Sequence, residues 1–274
     1  MWASLNSSVK RGAPGPHRVL KRILRPWIQG EFSIPGPKKI GDRFRWVHPR
    51  LLTAEPPEAH VHAWIRKCLS PDQVFFDVGA HYGWMSLIGA QCVGAAGRVI
   101  AFEPAPPLVE ILRYHKRVNR LKQMEVVMSA VSDMDRESVP FFIMNNGFSV
   151  GNSLVAHELE GPTRESAVRT LTLDSYCSQN DCWPDVVKID VEGSEMLVLK
   201  GARAVLSQKK PTLIVAVHPP WLPGGQTTAA LFDLVASYGY RLQDSKVYPY
   251  KGEEFADYLF SCEAPVGTRS GTTL

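Results

Sequence analysis

Three observations predict an α/β fold built on an open, mostly parallel sheet. Short apolar runs of β-prone residues recur along the chain, most of them followed by a segment of helical character. The first core run, Val74-Phe75-Phe76, leads into the turn Asp77-Val78-Gly79-Ala80-His81-Tyr82-Gly83 and then a helix. The second, Arg98–Phe102, ends in another acid, Glu103, 20 residues after Gly83. That is close to the distance at which an acid meets ribose hydroxyls in folds of this kind.

The acid and glycine turn indicates the ligand. A dinucleotide turn reads G-x-G-x-x-G and brings backbone N–H groups up to a pyrophosphate. Here the pattern is D-x-G-x-x-x-G, with a carboxylate where a phosphate would be repelled. A strand that ends in a carboxylate suits a ligand with a cationic end. S-adenosylmethionine has an α-ammonium and a sulfonium and no phosphate. The expected contacts are Asp77, Gly79, Ala80, His81, Tyr82 and Gly83 around its amino-acid part and Glu103 on its ribose. Gly79 permits backbone conformations closed to other residues, and Gly83 lets the next helix pack close to the strand.

Composition bounds the class. At 274 residues, 45% hydrophobic and 21% charged, the chain suits one globular α/β domain with an N-terminal extension. The expected division is a basic extension or cap over 1–60, the catalytic domain over 61–264 and a disordered tail over 265–274. No apolar run reaches the length of a membrane span, and residues 1–18 lack the apolar core of a signal peptide, so a cytoplasmic protein is expected. The five cysteines are scattered without a zinc pattern and read as free thiols. The net charge of +4 is unevenly spread. Residues 1–50 hold 11 Lys+Arg against Glu31 and Asp42, a net of +9, and the remainder 20 against 25, a net of −5.

The elements follow in order. His17–Ile28 begins as a short basic amphipathic helix with Leu20, Ile23 and Leu24 on one face. So little apolar surface suits packing across the main domain, or a substrate lid, better than lipid; peripheral membrane contact through residues 18–28 is the alternative. Residues 31–55 read as a capping segment with a short strand at Phe44–Val47, and Glu58–Cys68 as a helix. After Glu103, Pro104-Ala105-Pro106-Pro107 marks the start of a helix over Leu108–Asn119. Met124–Val131 is the third strand. In an open α/β sheet its C-terminal end faces the ligand crevice, which places Ala130 and Val131 beside an adenine. Val139–Met144 and the polar, glycine-rich Asn145–Ser153 read as a hairpin with a loop that closes over substrate. Further strands are expected at Val168–Asp174, Val186–Ile189 and Pro211–Val217, a helix at Thr227–Tyr238, and a closing antiparallel hairpin from Tyr240–Gln243 and Tyr258–Cys262.

Asp190 and His218 are the candidate catalytic residues. Each falls at the C-terminal end of an apolar strand, where a lone charge needs a partner or a task. Methyl transfer to a hydroxyl requires loss of its proton, and a carboxylate or an imidazole can take it. Asp190 can instead pair with Lys188, which alternation places on the same face. Glu195 reads as a helix cap, and Trp221 as an aromatic wall beside His218. Asp174, Asp190 and Glu192 offer oxygen ligands for a divalent cation, but a carboxylate cluster seen in sequence is weak support, and no metal is assigned. His218-Pro219-Pro220-Trp221 has some likeness to the motif of amino-group methyltransferases, but it differs at its first residue and follows a later strand.

Asp77–Gly83, Phe102-Glu103-Pro104, Thr172–Tyr176 and Lys188–Glu195 occur in that order, with Leu199-Lys200-Gly201-Ala202 downstream. Over about residues 72–262 the chain thereby resembles the FkbM-type methyltransferases, class I enzymes that use S-adenosylmethionine. The resemblance implies a Rossmann-like, seven-stranded, mostly parallel sheet with a reversed last strand. It also implies O-methylation of a hydroxyl on a sugar, glycan or natural product. One position departs: many members carry Glu two residues before the strand-end His, and here it is Ala216. A mechanism that relies on that Glu does not carry over. Two other readings are an RNA methyltransferase with a basic N-terminal arm, disfavoured by the acidic body, and a non-catalytic cofactor-binding scaffold, disfavoured by intact Asp77, Glu103 and Asp190.

Overall fold

A parallel strand covered on both faces must be apolar nearly throughout. The computed structural model, which describes residues 36–40, 43–48, 58–144, 151–155, 163–250 and 252–262, places such strands at the centre of its main sheet. These are β3 (Val74–Val78), β4 (Arg98–Phe102), β9 (Val186–Ile189) and β10 (Thr212–Val217). With β5 (Met124–Val127), β11 (Arg241–Tyr250) and β12 (Glu253–Ser261) they form a seven-stranded sheet in the order β11-β12-β10-β9-β3-β4-β5. All neighbours are parallel except at β12, which runs antiparallel to both β10 and β11. The expected architecture, including the reversed last strand, is therefore present. The closing hairpin is longer than the sequence suggested.

Helices cover both faces. α1 (Ala59–Cys68), α2 (Trp84–Cys92) and α3 (Pro106–Val118) bury Ile65, Leu87, Ile88 and Leu112 against one side. A hairpin of β1 (Gly36–Ile40) and β2 (Arg43–Val47) packs on α2 and α3, where the His48 N–H donates to His115 Nε2 at 3.0 Å. The other face carries α4 (Leu173–Asn180), α5 (Glu195–Lys200), a π-helical turn (Val205–Lys209) and α6 (Thr228–Ser237). None of the cysteines forms a disulfide.

Two stretches depart from expectation. Met124–Val131 is not one strand. β5 stops at Val127, and Ala130–Val131 becomes β6 of a second, three-stranded sheet. There β6 pairs with β8 (Thr163–Leu171), which pairs antiparallel with β7 (Arg136–Met144). Ser129 sets the break: its hydroxyl donates to the Arg169 carbonyl of β8 at 3.0 Å. The strand expected over Val168–Asp174 ends at Leu171, because Thr172 caps α4 by accepting from Ser175 N–H at 3.0 Å. The segment 17–28, the loop 145–150 and the tail 265–274 lie outside the described residues. Among the described residues no helix is long and apolar enough to cross a membrane.

The chain leaves β3 for β4 on one side and returns to β9 on the other, so the sheet order reverses between β3 and β9. Ligands of open α/β sheets bind at such a point, beyond the strand C-termini. Gly79 and Asp190 follow directly on the paired residues Val78 and Ile189. The two turns touch: a Cβ on Gly79 (φ +75°) would lie 1.8 Å from the Asp190 carbonyl oxygen.

Gly79 and Gly94 test this contact, since Gly94 has a similar φ of +70° but open space around it. Gly94→Ala should cost only the left-handed strain, about 1–2 kcal/mol. Gly79→Ala should lose about 3 kcal/mol or more, because overpacking adds to that strain. Urea unfolding of both variants checks the difference.

Candidate active site

A cleft opens at the reversal point. The turn after β3 supplies Gly79, Ala80, His81 and Tyr82, β4 leads into Glu103, and β6 brings Ala130 and Val131. Asp190 and His218 line its other end. The loop expected to close over substrate contributes Gly151–Leu154. Ser153 anchors it: its backbone bridges to Phe142, and its hydroxyl donates to the Glu192 carbonyl at 2.7 Å.

Two expected cofactor contacts are absent from the lining. Gly83 caps α2 at φ +82°, and a Cβ there would lie 2.6 Å from Leu112 Cδ2. It serves helix packing and leaves no gap at the cleft. Asp77 is fully buried beneath the floor. Its Oδ2 accepts from Ser86 Oγ at 2.5 Å, and its Oδ1 lies 3.6 Å from Lys188 Nζ. Register explains the pair, since Asp77 and Lys188 are direct neighbours on β3 and β9. Burial pushes the Asp77 carboxyl up, and the Lys188 ammonium opposes this.

Lys188 is the link to the cleft. Its Nζ donates to the Gly79 carbonyl at 3.0 Å and lies 3.2 Å from Asp190 Oδ2. Both readings of Asp190 from the sequence therefore meet: it is paired with Lys188 and it faces the cavity. Burial disfavours the ammonium, but Asp190 and Asp77 more than offset this and raise Lys188 above its usual range. For Asp190 burial acts upward, and Lys188 and His218 outweigh it and hold the carboxyl below its usual range. Asp190 is thus a carboxylate.

Glu103 sits at the opposite side of the β3 turn. Its Oε2 accepts from His81 N–H and its Oε1 from Ala105 N–H, each at 2.9 Å. Burial raises its carboxyl to about 7, against the pull of those donors. The walls of the cleft include Phe102, Leu108, Ala130, Val131 and Phe141. Apolar walls together with the acids Glu103 and Asp190 match the groups of S-adenosylmethionine: a flat base, ribose hydroxyls and a cationic amino-acid end.

At the far end His218 lies among three acids. Nδ1 is 2.7 Å from Glu195 Oε1, and Nε2 is 3.3 Å from Glu192 Oε2 and 3.6 Å from Asp190 Oδ1. Burial alone would push the imidazole down, but Glu192, Glu195 and Asp190 raise it to about 10. An imidazole raised this far is poorly suited to the general-base role that the sequence offered for His218. Trp221 stacks on this ring at 5.2 Å and 7°, and is not a wall of the cleft itself. Gly193 permits the crowding, since a Cβ there would lie 2.4 Å from the Trp221 carbonyl. Glu195 lies in the first turn of α5, and its Oε1 also accepts from Gly193 N–H, just ahead of that helix, at 3.0 Å.

Asp174 is not part of this group. It accepts from Ala204 and Val205 N–H at 2.9 and 3.0 Å, away from the cleft. Glu58 was not singled out by the sequence, yet it lines the cleft. Burial and then Asp190 raise its carboxyl to about 8, and burial and Asp190 likewise raise Asp257 to about 7. Asp257 stands directly across from Ala216 on the neighbouring strand. A carboxylate thus approaches the level of the missing Glu, delivered by β12.

The chain matches the Methyltransferase FkbM domain family over residues 77–242, more than half its length. Among solved structures it is similar to the FkbM methyltransferase of Methylobacillus flagellatus KT, at 17% identity and a TM-score of 0.44, covering 72% of this chain and 50% of that one. It thus spans half the length of that relative. It is also similar to TYW2 of M. jannaschii in complex with AdoMet, at 13% identity and a TM-score of 0.46, covering 83% and 86% of the two chains. TYW2 of P. horikoshii in complex with MeSAdo gives 12% identity and a TM-score of 0.48, covering 83% and 70%. No curated protein matches the chain in sequence.

Removing one partner of a buried ion pair strands the other. Lys188→Met should therefore cost about 3–5 kcal/mol in urea unfolding. The double variant Lys188→Met/Asp77→Asn should recover part of that loss, because the more deeply buried of the two stranded carboxyls is then neutral.

Proposed function

The chain belongs to the FkbM methyltransferase family, and we propose that it methylates a hydroxyl oxygen on a small molecule, a sugar or a glycan. Its cofactor is S-adenosylmethionine, which supplies an electrophilic methyl group on a sulfonium. The turn Gly79–Tyr82 would hold the amino-acid part, Glu103 the ribose hydroxyls, and Ala130 with Val131 the base. Asp77 acts one step removed, by fixing Lys188.

One observation carries the reading: an ionised Asp190 faces the cleft at the sheet reversal, held in place by Lys188. Asp190 orients the acceptor hydroxyl and takes its proton. His218 is a positioning residue for Asp190, since its Nε2 faces Asp190 Oδ1. Positioning of two substrates in one cleft supplies a large part of the acceleration.

Asp190→Asn should lower kcat about 100-fold or more while the Kd for S-adenosylmethionine stays within a few-fold. Equal loss of both in calorimetry and single-turnover assays would remove the assignment. A second test uses Glu103. Its carboxyl, raised to about 7, binds a proton as the pH falls, and that proton must leave for a carboxylate to accept from the ribose. Affinity for S-adenosylmethionine should therefore be flat above pH 7 and fall by up to about tenfold per unit below it. Glu103→Gln should flatten the profile.

A further inference from the structure

We propose that Asp190, Glu192 and His218 form a binding site for a first-row divalent cation at the acceptor end of the cleft. Their ligating atoms lie within 4.8 Å of one another. His218 Nε2 stands 3.3 Å from Glu192 Oε2 and 3.6 Å from Asp190 Oδ1. Donors that share an ion at about 2.0–2.2 Å stand about 3–4 Å apart, so the group has the spacing of a coordination sphere.

A second feature points the same way. The His218 side chain is only 7% exposed, and its Nδ1 is held by Glu195, which is wholly buried. That contact turns Nε2 toward Glu192 and Asp190, where it makes no hydrogen bond among the described residues. Glu192 Oε2 is likewise buried without a hydrogen-bond partner among the described residues. A carboxylate that orients a histidine whose other nitrogen faces further ligands is the usual arrangement behind a metal-bound imidazole. Lys188 engages Asp190 through Oδ2 and leaves Oδ1 to the site. The oxygen-only set that includes Asp174 is thus replaced by one imidazole and two carboxylates.

This donor set suits Mn²⁺, Fe²⁺ or Zn²⁺ better than Ca²⁺. All three residues line the cleft, so remaining positions face the space for the acceptor. A bound cation takes the place of the proton on Nε2. It would hold the acceptor oxygen and lower the pKa of its hydroxyl; with the cation bound, Asp190 serves as a ligand and the hydroxyl proton passes to Glu58, the further acid of the cleft lining beside Asp190. That catalytic part rests on the hydroxyl-acceptor reading above, whereas the binding site does not.

The test is titration of the EDTA-treated full chain with Mn²⁺, followed by electron paramagnetic resonance of the free ion and by calorimetry, with Zn²⁺ as competitor. One ion per chain is expected. Glu192→Gln and His218→Gln should each weaken Mn²⁺ at least about tenfold, and Glu195→Gln by about 10–100-fold through loss of ring orientation. Circular dichroism shows which variants are folded. Stoichiometric binding of neither Mn²⁺ nor Zn²⁺, or binding that Glu192→Gln and His218→Gln leave unchanged, overturns the site. S-adenosylmethionine titrated into the same samples separates the two proposals. Cofactor binding without cation binding sinks the metal site alone. Cation binding without cofactor binding supports the metal site and counts against the proposed function.

Discussion

The ammonium of Lys188 is the interaction on which the site depends. It is buried at the centre of the sheet and must be neutralised there. Asp77 of β3 and Asp190, just beyond the end of β9, do so, and the Gly79 carbonyl accepts a further hydrogen bond. Because Lys188 sits on β9 and Asp77 on β3, their contact joins the two strands at the reversal point of the sheet. It also sets the direction of the Asp190 carboxylate. A residue that never leaves the interior thereby orients the group that faces the cleft.

Charge is divided between the two ends of the cavity. Beside the β3 turn a single carboxyl, Glu103, is held by backbone N–H groups in the turns after β3 and β4. Elsewhere in the cleft several acids crowd around Lys188 and His218. Acids placed so close and so deep repel one another unless positive charge is supplied. Lys188 supplies one charge permanently. His218 holds the second position, where a proton or a cation can serve. The tight turn through Gly193 against Trp221 keeps this group from relaxing apart.

The second sheet shows how a local pattern can mislead. Met124–Val131 is a nearly unbroken β-prone run, and nothing in it marks a boundary. The chain changes sheets at Ser129 because β8, about 40 residues away, offers its carbonyl to that hydroxyl. Thr172 similarly converts an expected strand end into a helix start. Both outcomes depend on contacts between segments distant in sequence. The displacement still leaves Ala130 and Val131 on the cleft wall, as the position of the run beyond the second core strand implied.

The sequence alone determined the fold class, the order of the core strands and the turns that line the cleft, because apolar periodicity and glycine turns are local signals. It also placed Asp190, Glu103 and His218 at strand ends, which in a parallel sheet share one edge. Only the tertiary structure decided which of these groups touch. Strand register buried Asp77 beside Lys188, and packing of the Gly193 turn on the His218 loop set Glu192 and Glu195 on either side of one imidazole. The entry of α1 brought Glu58 to the cleft, and antiparallel pairing set Asp257 across from Ala216. Electrostatic character depends on such distances and on burial, which a linear pattern does not contain.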